Sequence, residues 1–275
     1  MEANRIVLGI VGSPNPGGRT SQLIMAALKG AAHTGVTTEL LQLSEYTVEA
    51  CKDCLPFDCK DNLKCTYDDE AFEYLSRRIL NCDALVLGTP VYWSDTSGLV
   101  KYFILKMFRV YARSGPLKGL PAFGIAIAGG SGNGLVSGLR PVYHFFQTMQ
   151  IRAVEPVPAT RFNFNQALKR AGQLGGRIAG MIGERATFSS LEERLVWYDN
   201  LPYLGLSRAG ERRLLADLLA MEVGQDMSRD VVTGLARSDS LAAAGRSVES
   251  LSEIARVYEA GLEIFERKEE AERNP

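Results

Sequence analysis

The sequence predicts an α/β fold in which a doubly wound parallel sheet of five strands is followed by a C-terminal helical extension. Short apolar runs such as Ile6–Val11 are rich in β-branched residues and lack polar alternation, as in strands buried on both faces. Helical patterns separate these runs, and alternating strands and helices indicate a sheet covered on both sides. Strand signals stop near Ala186, so we predict a core domain over residues 1–185 and the extension over 186–275.

Each element of the core domain has its own signal. An apolar stripe from Leu23 to Ala31 predicts the first helix. Asp68 or Asp69 can cap a second helix that ends at Leu80. Pro141 would break a helix interior, so we predict that the main body of the fourth helix begins there. A strong helix follows Gly98, and a glycine-rich one runs from about Leu168 to Ile182. The predicted strands are Ile6–Val11, Thr37–Leu43, Ala84–Gly88, Pro121–Ala128 and Ile151–Val157.

The extension is predicted to be helical throughout, apart from one linker. Ser190 and Glu193 form a capping box, and apolar stripes predict helices over Glu211–Val223 and Val248–Arg267. The segment Arg229–Arg246, rich in Ser, Gly and Ala, is predicted to be flexible. The last helix carries an apolar stripe that should pack on the core domain or on a second subunit, and we favour the subunit: Leu251, Ile254, Tyr258, Leu262 and Phe265.

Composition excludes several classes of partner. A formal net charge of -1 provides no attraction to nucleic acid or to an anionic membrane. No apolar run is long enough for a signal peptide or a membrane span, which predicts a cytoplasmic protein.

The loop Gly12–Ser21, between the first strand and the first helix, predicts a phosphate site. It is rich in glycine and hydroxyl residues, and a helix N-terminus attracts anions. Gly18 and Arg19 stand where a Walker loop needs Lys and Ser or Thr, and no register gives the dinucleotide fingerprint. The alternative is an ordinary strand–helix turn with Thr20 as N-cap.

Two further strand ends lead into loops suited to a planar ligand. Thr89–Gly98 offers Pro90, Tyr92 and Trp93 as an apolar wall, and Gly129–Gly134 allows close backbone approach. Ligands of open α/β sheets bind at the carboxyl ends of strands. A phosphate beside a planar heterocycle indicates flavin mononucleotide (FMN), which would perform the redox chemistry without an essential side-chain acid or base.

These motifs resemble those of the NAD(P)H-dependent FMN reductases of the flavodoxin-like fold, over about residues 4–185. The resemblance implies sheet order 2-1-3-4-5, FMN at the strand ends, NAD(P)H as a possible donor, and a homodimer or homotetramer. The family usually carries Arg at the position of Asn15 and Asn at that of Arg19. In this chain the positively charged residue of the phosphate loop therefore stands four positions later. The predicted FMN-binding residues are Ser13, Asn15, Arg19, Thr20, Ser21, Pro90, Val91, Tyr92, Trp93, Gly129 and Gly130.

Four cysteines lie in a polar insertion over residues 44–67, with spacing Cys-x2-Cys-x4-Cys-x5-Cys: Cys51, Cys54, Cys59 and Cys65. Four thiolates on a compact loop suit a [4Fe–4S] cluster, whereas zinc usually takes two Cys-x2-Cys knuckles; zinc and unliganded thiols remain alternatives. The loop resembles that of the iron–sulfur flavoprotein branch, which has two residues, not four, between the second and third Cys. Cys82 is interpreted as a core residue, and His33 and His144 are poor ligand candidates.

These observations predict an FMN-dependent oxidoreductase that transfers electrons to or from a small molecule or a protein, with a [4Fe–4S] cluster adjacent to the flavin. One alternative is an NAD(P)H-dependent FMN or quinone reductase without a cluster. Another is a flavodoxin-like binding module that has lost electron transfer.

Overall fold

The structure is a computed structural model that describes residues 5–183 and 185–273. The chain divides into two compact units. The first comprises the chain through Ala128 together with Gly134–Ala159 and Asn165–Leu204. The second comprises Gly129–Asn133, Thr160–Phe164 and the chain from Gly205 onward. The segment 186–204, which we assigned to the extension, is thus grouped with the sheet.

The first unit contains a parallel sheet of order β2-β1-β3-β4-β5, with β6 paired to β4. This confirms the predicted fold class and strand order. In the register, Val11 lies opposite both Gln42 and Gly88, so β1 and β2 end at the same level and β3 extends two residues further. The strands are β1 Ile6–Val11, β2 Thr37–Gln42, β3 Ala84–Pro90, β4 Pro121–Ala128, β5 Arg152–Ala153 and β6 Val157–Thr160.

The last predicted strand, Ile151–Val157, is in fact two short strands. The Val154 N–H still donates to the Ala122 carbonyl, at 2.8 Å, but the ladder then breaks. Pro156 has no N–H to donate to a neighbouring strand, so the prediction of one continuous strand is wrong at this residue.

The helices that flank the sheet begin at side-chain caps where the sequence offers them. The Asp69 carboxylate accepts a hydrogen bond from the Phe72 N–H, at 2.9 Å, which confirms the predicted cap. Ser97 caps the next helix in the same way through the Val100 N–H, at 3.3 Å. The helices are α1 Arg19–Ala32, α2 Cys59–Asn62, α3 Glu70–Leu80, α4 Gly98–Tyr111, α5 Leu135–Thr148, α6 Phe164–Gly180 and α7 Leu191–Asp199.

Helix α5 begins six residues before Pro141, so the prediction that its main body starts there is wrong. A proline in a helix interior costs about 3 kcal/mol. Leu135, Val136 and Leu139 precede Pro141 and are almost completely buried. Their burial, at about 1.5–3 kcal/mol each, offsets the cost of the proline.

Helix α7 covers the edge of the sheet. The Trp197 indole donates to the Ala153 carbonyl, at 2.8 Å, and the Tyr198 hydroxyl donates to the Ile151 carbonyl, at 2.7 Å. The predicted cap is confirmed, because the Ser190 hydroxyl accepts from the Glu193 N–H at 3.1 Å. These bonds satisfy carbonyls along an edge strand that would otherwise be open to pairing.

Through residue 273, the described part of the second unit contains four further α-helices: α8 Arg208–Val223, α9 Arg229–Val232, α10 Gly234–Ala243 and α11 Ser247–Arg273. The prediction of a flexible linker over Arg229–Arg246 is therefore wrong. The small residues allow close packing: a Cβ at Gly234 would lie 2.8 Å from Cγ2 of Val257. The Ser250 hydroxyl also donates to the Ser238 carbonyl, at 2.8 Å.

The apolar stripe of α11 packs within the second unit. Ile254 and Tyr258 are buried there, and a Cβ at Gly261 would lie 3.0 Å from Cβ of Leu219 on α8. The expectation that this stripe packs on a second subunit is wrong for these residues. Across the described ranges, no helix combines the length and the apolar character that crossing a membrane would require.

Candidate functional site

Three loops converge at the carboxyl edge of the sheet in the first unit. The Gly12 N–H donates to the Gly88 carbonyl, at 2.7 Å, and the Ser97 hydroxyl donates to the Gly12 carbonyl. The Gln42 amide donates to the Ser13 carbonyl. A Cβ at Gly12 would lie 2.1 Å from Cγ2 of Val100, so only glycine permits this convergence.

The predicted phosphate loop leaves the N-terminus of α1 without a side-chain cap among the described residues. Gly18 occupies the N-cap position, so the alternative in which Thr20 is the cap is wrong. Thr20 and Ser21 lie in the first turn and are buried, and no hydrogen bond within residues 5–183 and 185–273 engages either hydroxyl. Free hydroxyls beside uncapped backbone N–H groups make this turn suitable for an anion.

The other predicted residues of this loop differ in accessibility. Ser13 is buried, and its hydroxyl accepts a hydrogen bond from the Asn15 N–H, at 3.1 Å. Asn15 and Arg19 are exposed at the surface of the loop. The structure thus brings Ser13, Thr20 and Ser21 into the interior of the loop and leaves the cationic residue at its rim.

The predicted aromatic wall is a tight turn. Tyr92 and Asp95 exchange two backbone hydrogen bonds, at 2.9 and 3.0 Å, and enclose Trp93 and Ser94 at φ of 52° and 58°. Non-glycine residues in the left-handed region are strained, and such strain concentrates at functional sites. Trp93 is 100% exposed and Tyr92 49% exposed, so the aromatic surface is open beside Pro90 and Val91.

Gly129 and Gly130 belong to the second unit, where their loop is braced by residues that sequence reasoning missed. Arg161 Nε donates to the Gly130 carbonyl, at 2.9 Å, and the Tyr258 hydroxyl donates to the Ser131 carbonyl, at 2.6 Å. A Cβ at either glycine would meet no described atom within 4 Å, so the backbone of the loop is open there. The signal for Tyr258 was present, since it belonged to the predicted apolar stripe.

The four cysteines of the insertion line one cavity of about 60 Å³ in the first unit. Cys59, the first residue of α2, is buried, and the other three are partly buried: Cys51, Cys54 and Cys65. Residues of α4 complete the wall, among them Lys106, Arg109 and Val110. The donor set matches a four-thiolate group in kind and number, although in the described chain no three His, Cys, Asp or Glu side chains adopt metal-binding geometry.

The thiols of the cavity affect one another electrostatically. Burial raises the pKa of Cys59, and negative charge on Cys54, Cys65 and Cys51 raises it further. Cys82 differs, because it lies within the core, and burial is the main cause that raises its pKa to about 12. Cys82 is therefore a packed thiol, as predicted, whereas the other four form a group.

The two extra residues between Cys54 and Cys59 are accommodated by an outward turn. The Phe57 N–H donates to the Cys54 carbonyl, at 3.1 Å, which closes the turn. Leu55 at its tip is 79% exposed. The longer spacing is thus compatible with all four thiols facing one cavity.

Helix α4 holds the cysteine loop through charged side chains that sequence reasoning also missed. Buried Lys106 pairs with Asp69, which also accepts from the Glu49 N–H, at 3.0 Å, at the start of the loop. Arg109 pairs with Asp53 and Arg113 with Asp61, each at 2.7 Å. Lys106 and Arg109 lie three residues apart on α4, and Arg113 follows two residues after its end. This close spacing of cations was the available signal.

Comparison with known proteins assigns the family. The family model described as NADPH-dependent FMN reductase matches residues 6–161. The chain belongs to this family. It is a flavin-dependent oxidoreductase, and the resemblance inferred from the motifs is confirmed. Helices α8 to α11 lie outside the matched residues of the FMN reductase family.

The curated relatives are iron-sulfur flavoproteins. One from Methanocaldococcus jannaschii is 29% identical over 140 residues, covering 51% of this chain and 70% of that protein. Another from Archaeoglobus fulgidus is 29% identical over 180 residues, covering 62% and 78%. The chain is thus similar to proteins that are named iron-sulfur flavoproteins.

Solved structures support the flavodoxin-like fold. A flavone reductase aligns with a TM-score of 0.51 at 18% identity, covering 64% of this chain and 62% of that one. An NAD(P)H:quinone oxidoreductase from Methanothermobacter marburgensis aligns with a TM-score of 0.50 at 19% identity, covering 64% and 96%. At such low identity these likenesses establish the fold alone.

Proposed function

We propose that this member of the FMN reductase family transfers electrons between FMN and a [4Fe–4S] cluster held by Cys51, Cys54, Cys59 and Cys65. The observation that carries the proposal is the single cavity lined by all four thiols. The curated relatives named iron-sulfur flavoproteins support the same assignment. The family's description makes NADPH a candidate electron donor.

In this proposal the phosphate of FMN binds at the N-terminus of α1. The Thr20 and Ser21 hydroxyls and the uncapped N–H groups would donate to it, Ser13 would shape the loop, and Arg19 would add positive charge at the rim. FMN, when bound, supplies the redox chemistry, since a flavin accepts electrons in pairs and releases them singly.

The flavin ring would lie against the turn that follows β3. Tyr92 and Trp93 offer aromatic surface, whereas Val91 is half-buried and Pro90 is buried at the end of β3. Asn15, Gly129 and Gly130 stay predictions as further contacts. We also propose that the protein forms a homodimer or homotetramer.

A second candidate function is an NAD(P)H-dependent FMN or quinone reductase whose cysteine loop holds no cluster. One observation favours it: within the described residues the thiols do not stand in metal-binding geometry. The two functions share the flavin site and differ only in whether the four thiols bind iron.

The deciding experiment measures iron and acid-labile sulfide in anaerobically purified protein. We expect about four of each per chain. Cys59→Ala should lower both together while FMN stays bound, whereas the matched control Cys82→Ala should retain both. Stoichiometric zinc, or iron undiminished in Cys59→Ala, would contradict the cluster and leave the second function.

A further inference from the structure

Arg109 in the wall of the thiol cavity has one buried polar atom that finds no partner among the described residues. Its Nη2 pairs with Asp53 Oδ1 at 2.7 Å, and its guanidinium lies 5.4 Å from the centre of the Phe57 ring. Its Nε is buried, and no described atom accepts a hydrogen bond from it. A buried N–H of a charged group loses its hydration without compensation unless an acceptor is supplied.

The guanidinium is held in place by the same loop that carries the cysteines. Asp53 lies between Cys51 and Cys54, and Phe57 lies between Cys54 and Cys59. Both contacts therefore fix Arg109 relative to the thiols. A planar guanidinium anchored in this way keeps the direction of its remaining N–H bond.

The other two cations of the cavity wall are differently engaged. Lys106 is 3% exposed and forms an ion pair with Asp69. Lys52 is exposed, with its ammonium 4.2 Å from the centre of the Tyr67 ring. Arg109 is thus the wall residue that combines a positive charge with a buried, unpartnered donor in the described chain.

We propose that Arg109 compensates the negative charge of the group bound by the four thiolates, donating its Nε–H to a sulfur and raising the reduction potential of the cluster. This inference rests on the proposed cluster. A thiolate-bound cluster becomes more negative on reduction, and hydrogen bonds to its sulfurs and its electrostatic surroundings set its potential. A fixed positive charge stabilises the reduced state more than the oxidised one.

The test compares three full-length variants purified anaerobically with FMN bound: Arg109→Gln, Arg109→Lys and the control Arg113→Gln. The Arg113–Asp61 pair is exposed at both side chains, 73% and 70%, so water screens its charges. Loss of this pair should therefore leave the reduction potential unchanged. The readouts are iron and sulfide per chain and the midpoint potential, from a dithionite titration followed by electron paramagnetic resonance.

Arg109→Gln should lower the equilibrium constant for one-electron reduction about tenfold, which corresponds to about 59 mV. Arg109→Lys should show less than half of that shift, and Arg113→Gln should match the unmodified protein. If Arg109→Gln loses its iron while keeping FMN, iron restored in Arg109→Lys supports the role.

Two outcomes of the potential measurement would overturn the inference while leaving the proposed function intact. They are a midpoint potential unchanged in Arg109→Gln, or an equal shift in Arg113→Gln. Iron absent from both Arg109 variants, but present in the unmodified protein, would likewise refute charge compensation. Unmodified protein without iron would instead refute the proposed cluster, and this inference with it.

Discussion

Glycines decide how closely the elements of the site approach one another. A Cβ at Gly88 would lie 2.9 Å from Cδ1 of Ile24, much as one at Gly12 would collide with Val100. Gly88 lies on β3 opposite Val11, and Gly12 follows Val11 directly at the end of β1. Their missing side chains let α1 and α4 approach the strand ends from which the phosphate and aromatic loops begin.

The hydroxyls of the first turn of α1 provide a test at this scale. Thr20→Val with Ser21→Ala removes both donors while keeping nearly the same side-chain volume. FMN affinity should fall by about 3–6 kcal/mol, at about 1.5–3 for each hydrogen bond to a charged group. Titration of the apoprotein measures it, with Thr34→Ala at the other end of α1 as the control. Unchanged affinity would exclude this loop as the phosphate site.

Trp93 provides a second test, because its left-handed backbone is costly and its ring is fully exposed. Trp93→Gly should leave the free energy of unfolding unchanged or raise it by up to about 1 kcal/mol, since glycine adopts this conformation readily. FMN affinity should fall by about 1 kcal/mol through the lost aromatic contact. Ser94→Gly relieves similar strain but removes no ring, so it should preserve affinity. Equal affinity in both variants would show that the ring plays no part in binding.

At the scale of elements, α7 shows how a segment outside the predicted core domain completes the sheet. Glu193 accepts hydrogen bonds from the Ser189 N–H and hydroxyl, at 2.7 and 2.8 Å, and pairs with Arg152 at 2.9 Å. The Arg152 guanidinium in turn lies over the rings of Phe188 and Trp197, 4.4 and 3.9 Å from their centres. One carboxylate thus connects the start of α7 to β5.

This arrangement predicts a pH dependence of stability. The pKa of Glu193 is lowered from 4.5 to about 2, chiefly by the hydrogen bond from the Ser189 N–H and next by the one from Arg152. A lowered pKa stabilises the fold above pH 4.5, and that stabilisation is lost as the pH falls through about 2. The difference in melting temperature between unmodified protein and Glu193→Gln should therefore shrink between pH 5 and pH 2. Exposed Glu259→Gln is the control, and a difference independent of pH would contradict the assigned role.

Sequence patterns located elements well where local and tertiary preferences agree. Ile6–Val11 and Pro121–Ala128 are found at the predicted bounds, because continuous β-branched and apolar runs leave a buried strand as the consistent choice. The start of α5 was misplaced because burial outweighs the local cost of Pro141. Helix α10 was missed because its small residues pack by close approach, which leaves no apolar periodicity to detect.

The loops of the candidate site could be predicted from the sequence, but the distant residues that hold those loops in place could not. Ser13, Thr20 and Ser21 were recognisable because glycine and hydroxyl residues between a strand and a helix have local meaning. Arg109 and Tyr258 lie far along the chain from the loops that they hold. Their roles depend on tertiary proximity, to which local patterns are insensitive.

For the whole molecule, the second unit has a core of its own, formed by α8, α10 and α11 and outside the residues matched by the family. Gly261→Leu should lower the free energy of unfolding by about 1–3 kcal/mol, since the new side chain would overpack against Leu219. Urea denaturation measures the change, with Ser252→Leu on the exposed face of α11 as the control. Equal stability of the two variants would contradict this packing.

Helix α4 also fixes the distance between the aromatic turn and the thiol cavity. It begins beside the aromatic turn, at the Ser97 cap, and carries Arg109 in the thiol cavity eleven residues after Gly98. At about 1.5 Å per residue, these two points are separated by about 16 Å along the axis. Inserting one residue between them would lengthen the helix by one step and rotate Arg109 by about 100°, away from the cavity. Homologous chains that keep both loops should therefore tolerate substitutions on the exposed face of α4 but not single-residue insertions or deletions.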